Sequence, residues 1–181
     1  MSIVIVTLEE NNCVNLFADR RLVKENIKSN SFTEDEIQKI FELTDTISCG
    51  MTGDAAWGVA LANQLINYQD KPASELIQII ENFDVKFNDH STFILAGKYD
   101  DGKLFYYGFK TENRTGVINF LTNELMATSP IEYLNNCVNF YLDLKDDGFT
   151  DIQCAIDTIS FASKQNPKYI SKNYDHIQID F

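Results

Sequence analysis

A serine stands second in this chain, at the head of the apolar run "SIVIVTL", and the next apolar run, "CVNLFAD", ends on Asp19-Arg20-Arg21. An aliphatic hydroxyl is a weak nucleophile and needs a base beside it. A residue at the very start of a chain can carry that base itself: a free α-amine, with an ordinary pKa of about 7.7–8.0, accepts the hydroxyl proton near neutral pH. Ser2 gains such an amine only when Met1 is removed, and a small second residue favours that removal. A buried lysine close by would lower the cost of the alkoxide, and a carboxylate would keep that lysine charged and oriented. Backbone N–H groups at a strand-to-helix turn would hold the oxyanion.

Other chemistries find less footing. Cys13, Cys49, Cys137 and Cys154 are far apart and form no CxxC pair, so the sequence offers neither a zinc site nor a disulfide framework and the thiols are expected in the core. His90 and His176 are the only histidines, and neither belongs to a Ser/His/Asp or metal pattern. "DLKDDGFTDIQC" has the outline of a calcium loop, but Lys145 takes a ligand position and Cys154 stands where a bidentate glutamate belongs. "GMTGDA" lacks the lysine and spacing of a phosphate loop. No cofactor and no metal is expected.

The elements that must position the candidates follow from pattern. At 181 residues the chain reads as one domain, residues 1–181, with a core large enough to need no disulfide. Fifteen Lys and Arg against 27 Asp and Glu give a formal charge of −12, which argues against nucleic acid and anionic membrane as partners. No signal-peptide pattern or membrane-length run is present, so a cytoplasmic location is expected. The two opening runs predict a hairpin about Glu9–Asn12. "DTISCGMTG" predicts a strand, with Cys49–Gly53 as a strand-to-helix turn, and "DAAWGVALANQLINYQ" a helix capped by Asp54, with Trp57 in a core or subunit contact. A helix at "PASELIQIIENF" and two strands about the Asp101-Gly102 turn follow. "TGVINF" and "ELMAT" predict a further hairpin. Two helices come next, the second opened by Thr150 with Gln153 at capping-box spacing, and "YDHIQIDF" closes the chain as a strand. A polar loop is expected from about Lys24 to Glu36. Hairpins and paired helices in this order suggest an α+β fold, two stacked antiparallel sheets with helices on each outer face, a four-layer αββα sandwich.

The pieces "FADRR", "QKIFEL", "CGMTGDAAW" and "FILAGKYDDGKLFYYGF", with the late helix and "DHIQID" following in order, resemble the proteasome β-type subunits and the related bacterial ATP-dependent protease rings, within the N-terminal nucleophile hydrolases. The resemblance covers nearly the whole chain. It implies a peptidase or amide hydrolase in which Ser2 is nucleophile and base, Lys39 the lysine, Asp19 its carboxylate, Gly50 the oxyanion donor and Ser129 a supporting serine. It also implies a homo-oligomeric ring, a peptide or protein substrate, and an ATP-dependent unfoldase as a partner.

The sequence departs from the family pattern in three places. Serine stands where active members carry threonine; Ala127-Thr128-Ser129-Pro130 replaces Gly-Ser-Gly; and the supporting aspartate after the last helix falls near Asn166 or Pro167, where no carboxylate stands. The first hairpin leaves the register open as well. A one-residue insertion in its turn puts Ser2 at the nucleophile position, whereas a two-residue insertion puts Met1 there and leaves a catalytically silent structural or scaffold subunit. An amidohydrolase acting on a small metabolite is a third reading.

Overall fold

The computed structural model describes residues 2–9, 12–26, 31–83, 91–120, 125–128 and 131–181. Strands β1 (Val4–Glu9) and β2 (Cys13–Asp19) form the expected hairpin, with Val4 opposite Ala18 and Glu9 opposite Cys13. Asn12 closes the turn in the left-handed region (φ 61), a conformation that asparagine tolerates better than most residues. Next come β3 (Arg21–Asn26) and β4 (Ser31–Glu36), β5 (Ile40–Thr44) and β6 (Ile47–Thr52), and helices α1 (Ala55–Ile66) and α2 (Ala73–Asn82). Then β7 (Thr92–Lys98), β8 (Leu104–Lys110), β9 (Thr115–Asn119), β10 (Leu125–Thr128), α3 (Ile131–Asp146), α4 (Asp151–Gln165) and β11 (Tyr174–Asp180) complete the described chain.

Two antiparallel sheets organise these elements, in the orders β10-β1-β2-β11 and β5-β6-β7-β8-β9, with β3-β4 as a separate ribbon. The period of two along β1 and β2 sorts their side chains. Val4, Val6, Leu16 and Ala18 pack with Ile40, Ile94 and Ala96 of the second sheet, while Ile3, Ile5 and Phe17 pack with Cys137, Cys154 and Ile159 of α3 and α4. The outer face of the second sheet is covered by α1 and α2 through Trp57, Leu61, Leu76 and Ile80 on Phe93, Leu95 and Phe105. Both β1 and β2 are therefore apolar on both sides.

Local signals mostly act as the sequence suggests. The Asp54 carboxylate accepts from Ala56 and Trp57 N–H at 2.8 and 3.1 Å, Trp57 is buried edge-on to Phe83 and Phe93, all four cysteines are buried and free, and Gly102 turns the β7–β8 connection at φ 88. Three expectations are corrected. Residues 24–26 and 31–36 are strand and not loop: β3 and β4 pair from Arg21↔Glu36 to Asn26↔Ser31, the ladder overriding a polar composition with weak β-propensity. "TGVINF" and "ELMAT" do not pair with each other, because β9 extends the second sheet beside β8 while β10 crosses to β1 in the first. Thr150 does cap α4, accepting from Gln153 N–H at 3.3 Å, but Gln153 reaches forward to Asp157 and leaves the reciprocal half of the capping box unmade. Among the described residues no helix is long and apolar enough to cross a membrane.

Because the Asp54 carboxylate satisfies two first-turn N–H groups of α1, Asp54→Ala is expected to cost about 1 kcal/mol, read as a fall of roughly 2–4 °C in thermal midpoint. An unchanged midpoint would show that the cap carries no stability.

Candidate active site

The first residues of the chain are tied down by one carboxylate. Asp19, at the end of β2 and fully buried, accepts at Oδ1 from Ile3 N–H (2.9 Å) and from the Lys39 ammonium (2.9 Å). At Oδ2 it accepts from Arg21 N–H (2.9 Å) and Ser171 N–H (3.2 Å). The backbone answers in return, Asp19 N–H donating to the Ile3 carbonyl at 3.2 Å. One side chain thus joins the chain start, the base of the β3–β4 ribbon, the residue before β5, and the segment that follows α4.

Lys39 reaches this carboxylate from the segment preceding β5, its side chain 5% exposed. Burial pushes its ammonium below the usual lysine value; Asp19 pulls it back up, and the nearby Arg21 pushes it down again. The ion pair needs its partner, because a charge left alone at this depth costs several kcal/mol.

Ser2 is buried and lines a small hollow of about 40 Å³ together with Lys39, Arg21, Leu22, Val23, Met51, Thr52, Gly53 and Ala55. The alternation along β1 accounts for its direction. Ile3 and Ile5 face the α3–α4 side, so Ser2 shares the face of Val4 and Val6, toward the second sheet and Lys39. The hollow opens beside a broader groove of about 880 Å³ between Leu22, Val23 and Ile37 on one wall and Ala55, Ala56, Val59, Ala60 and Asn63 of α1 on the other. Gly53, at φ 89, makes the turn from β6 into α1 between the two.

Gly50 lies elsewhere. It is inside β6 rather than in the turn, which is confined to Gly53 and Asp54. Met51 N–H donates to the Lys39 carbonyl at 3.0 Å and Lys98 N–H to the Thr46 carbonyl at 2.9 Å. The ladder alternation then turns the Gly50 N–H to the β7 side, opposite Ile94. Its position favours a small residue: a Cβ there would stand 3.1 Å from Ile40 Cγ2 and 3.2 Å from Val4 Cγ1, close enough that both would have to give by a few tenths of an ångström. Gly50 therefore lets β1 close onto the second sheet.

The structure brings Ser2, Asp19 and Lys39 together and sets Gly50 behind them. Met1, His90 and Ser129 lie outside the described residues. The segment after α4 turns on Asn166, whose carbonyl accepts from Tyr169 and Ile170 N–H at 3.1 and 3.0 Å. It delivers no carboxylate from that point, but the Ser171 backbone, which no residue type in the sequence signals. His176 stands apart, stacked on Phe17 at 4.1 Å and 3.0 Å from Asn15 Oδ1, where burial pushes its imidazole below the usual value. Among the described residues no cluster of His, Cys, Asp or Glu could hold a metal ion.

Against solved structures, the chain superposes on a eukaryotic HslV from Trypanosoma brucei with a TM-score of 0.73, 11% identity and 99% of each chain covered. The fold is that of HslV and Anbu. Anbu from Pseudomonas aeruginosa, solved as a helical assembly of the Anbu complex, gives a TM-score of 0.70 at 10% identity, over 98% of this chain and 81% of that one. Anbu, an ancestral beta-subunit, from Yersinia bercovieri matches at the same TM-score and coverage with 11% identity. No protein-family model matches, and no curated protein does. The proteasome-like fold expected from the resemblance is thus present, at identities that speak for the fold alone.

Removing the Asp19 charge should leave a buried ammonium uncompensated, so Asp19→Asn is expected to destabilise the protein by about 3–5 kcal/mol in chemical denaturation, with Asp19→Asn/Lys39→Met recovering part of the loss. A double variant no better than the single one would deny the coupling. The lowered Lys39 value also has a sign. Between it and the ordinary lysine value the unfolded chain binds the extra proton, so the Lys39 contribution to stability rises with pH across that alkaline window. The difference between wild type and Lys39→Met, followed by denaturation at stepped pH, should show that rise; a flat difference would contradict it.

Proposed function

We propose that this protein is a proteasome-like N-terminal nucleophile hydrolase, a peptidase that cleaves amide bonds with Ser2 after loss of Met1. The observation that carries this reading is the hollow shared by Ser2 and Lys39, with Lys39 held on the buried Asp19 carboxylate. In the proposed reaction Ser2 Oγ attacks the scissile carbonyl carbon while its proton passes to the Ser2 α-amine. The lysine ammonium stabilises the developing negative charge, and Asp19 positions that ammonium. Collapse of the tetrahedral species breaks the C–N bond, and the leaving amine takes the proton. Water then hydrolyses the serine ester, releasing a carboxylic acid and restoring the hydroxyl.

The resemblance alone gives Ser129 the role of supporting serine and Gly50 that of oxyanion donor, and the turning of the Gly50 N–H toward β7 speaks against the latter. Gly53, which lines the hollow, is the turn residue better situated to offer an N–H. The substrate is a peptide or protein whose side chains enter the groove beside α1. We further propose one domain built as a four-layer αββα sandwich, acting in the cytoplasm as a homo-oligomer, a ring that confines hydrolysis to a chamber, with an ATP-dependent unfoldase as partner. The assembly named for the Pseudomonas aeruginosa Anbu supports self-association.

A second reading, a catalytically silent scaffold subunit, is favoured by the Gly50 N–H, which the sheet takes up. The intact mass of the untagged protein before and after treatment with a β-lactone that acylates N-terminal hydroxyls separates the two. Hydrolase chemistry predicts loss of Met1 and a single acyl adduct, abolished in Ser2→Ala and reduced at least about 100-fold in rate in Lys39→Ala. Retained Met1, or no adduct on a folded protein, leaves the scaffold.

A further inference from the structure

A strand at the edge of a sheet presents a row of N–H and C=O groups, and folded chains guard such rows with charge, proline, bulges or a covering element. Among the described residues the edges are β10 and β11 in the first sheet and β5 and β9 in the second. β5 carries Glu42 and a register shift between Glu42 and Thr44. β11 carries Asp175 and Asp180, α3 packs against β10, and the β3–β4 ribbon is charged along both strands. β9, Thr115-Gly116-Val117-Ile118-Asn119, has none of these guards: it pairs with β8 without a register shift, and no charged residue stands between Thr115 and Asn123. Its apolar side chains face water, Val117 67% exposed and Ile118 and Phe120 37% each.

The direction of its main chain follows from its neighbours. Thr111 N–H donates to the Ser91 carbonyl at 3.0 Å, which turns Thr111 toward β7. By alternation Phe109 and Tyr107 also turn toward β7, while Lys110, Gly108 and Tyr106 turn toward β9. Their partners Thr115, Val117 and Asn119 answer them across the ladder. Gly116 and Ile118 therefore direct their N–H and C=O groups off the sheet.

These two residues prescribe what fits. β9 meets the prescription itself when turned about a two-fold axis through Val117, which sets Gly116 opposite Ile118 of a second copy and Ile118 opposite its Gly116. Each such pair exchanges both of its N–H···O bonds, and the two Val117 side chains meet at the closer position between them. Gly116 leaves room for the isoleucine opposite, since a Cβ there would fall 1.8 Å from Tyr107 Oη and the position is held free of a side chain. Charge selects the same surface: two chains of formal charge −12 repel each other, and the repulsion is least where neither carries a charged side chain.

We infer that β9 is a self-docking edge, which joins the five-stranded sheets of two copies antiparallel about Val117. The contact does not draw on Ser2, so it stands or falls apart from the hydrolase reading. A strand of five residues gives less than the roughly 1,000 Å² of a strong interface, so half-dimerisation is expected at roughly 10–500 µM.

The test uses the untagged full chain, with substitutions at the exposed Val117 and Ile118 side chains. Val117→Cys should give a disulfide-linked dimer on a non-reducing denaturing gel after mild oxidation, because the paired Cα atoms stand about 4.5 Å apart, within the span of a disulfide. Ile118→Cys, opposite a glycine, should give at least about tenfold less, and wild type none, its four cysteines being buried. This readout is indifferent to any ring built through other faces. In sedimentation at rising concentration, Val117→Lys and Val117→Glu should each lose the association that wild type shows, and their equimolar mixture should regain it, since the two-fold axis sets lysine beside glutamate. Equal cross-linking of the two cysteine variants, wild-type sedimentation of both charged variants, or a mixture that regains nothing would overturn the self-docking, the last assigning the edge to a different occupant.

Discussion

A carboxylate removed from water must find donors for its lone pairs, and Asp19 finds four from four separate stretches of chain. Three of them are backbone N–H groups, which no substitution of those residues short of proline would delete. The fourth is the Lys39 ammonium, whose burial is tolerable only because Asp19 stands 2.9 Å away. Each partner therefore makes the other's position affordable in free energy, and the chain start, the ribbon, β5 and the segment after α4 inherit their relative placement from that pair. Coulombic attraction alone is a poor source of net stability at such a site, so the gain lies in uniqueness of geometry.

The second constraint is the closeness of the two sheets. Val4 and Ile40 leave only tight room for a Cβ at residue 50, and Lys39 immediately precedes Ile40. The same close approach that fills the inter-sheet core thus carries the lysine to the mouth of that core, at the open edge where β1 begins. The hydrophobic seam and the polar site are adjacent segments of one packing problem: apolar residues close the sheets behind the site, and the charged pair seals their end.

Much of this was readable in the sequence because period-two runs and turn chemistry act locally. The β1–β2 hairpin, the Asp54 cap and the helices had local signals, and "FADRR" and "QKIF" marked Asp19 and Lys39. What was misread depended on partners distant in sequence. The β3–β4 ribbon has the composition of a loop, and its pairing is sustained across a polar stretch; Leu22, Val23 and Ile37, which wall the groove, were hidden with it. β10 was assigned to its neighbour in sequence when its hydrogen bonds lie with β1, more than a hundred residues earlier. Ser171 contributes only an N–H, so no side-chain type could have announced it. The resemblance sets Gly50 in the Cys49–Gly53 turn as an oxyanion donor, whereas it lies inside β6 where a Cβ would press on Ile40 and Val4, a closeness visible only once the opposing sheet is in place.

The turn at Asn12 also acts as a ruler. Position along β1 is counted backward from that turn, and the count fixes which of two faces each side chain joins. Ser2 meets Lys39 because an even number of steps separates it from Val4 and Val6. Changing the length of the connection by a single residue, at the far end of the hairpin and without touching Ser2, Asp19 or Lys39, would exchange the polar mouth for the helix-facing core. The chemistry of this chain's first residues is thus written partly as a distance, in a turn that takes no part in it.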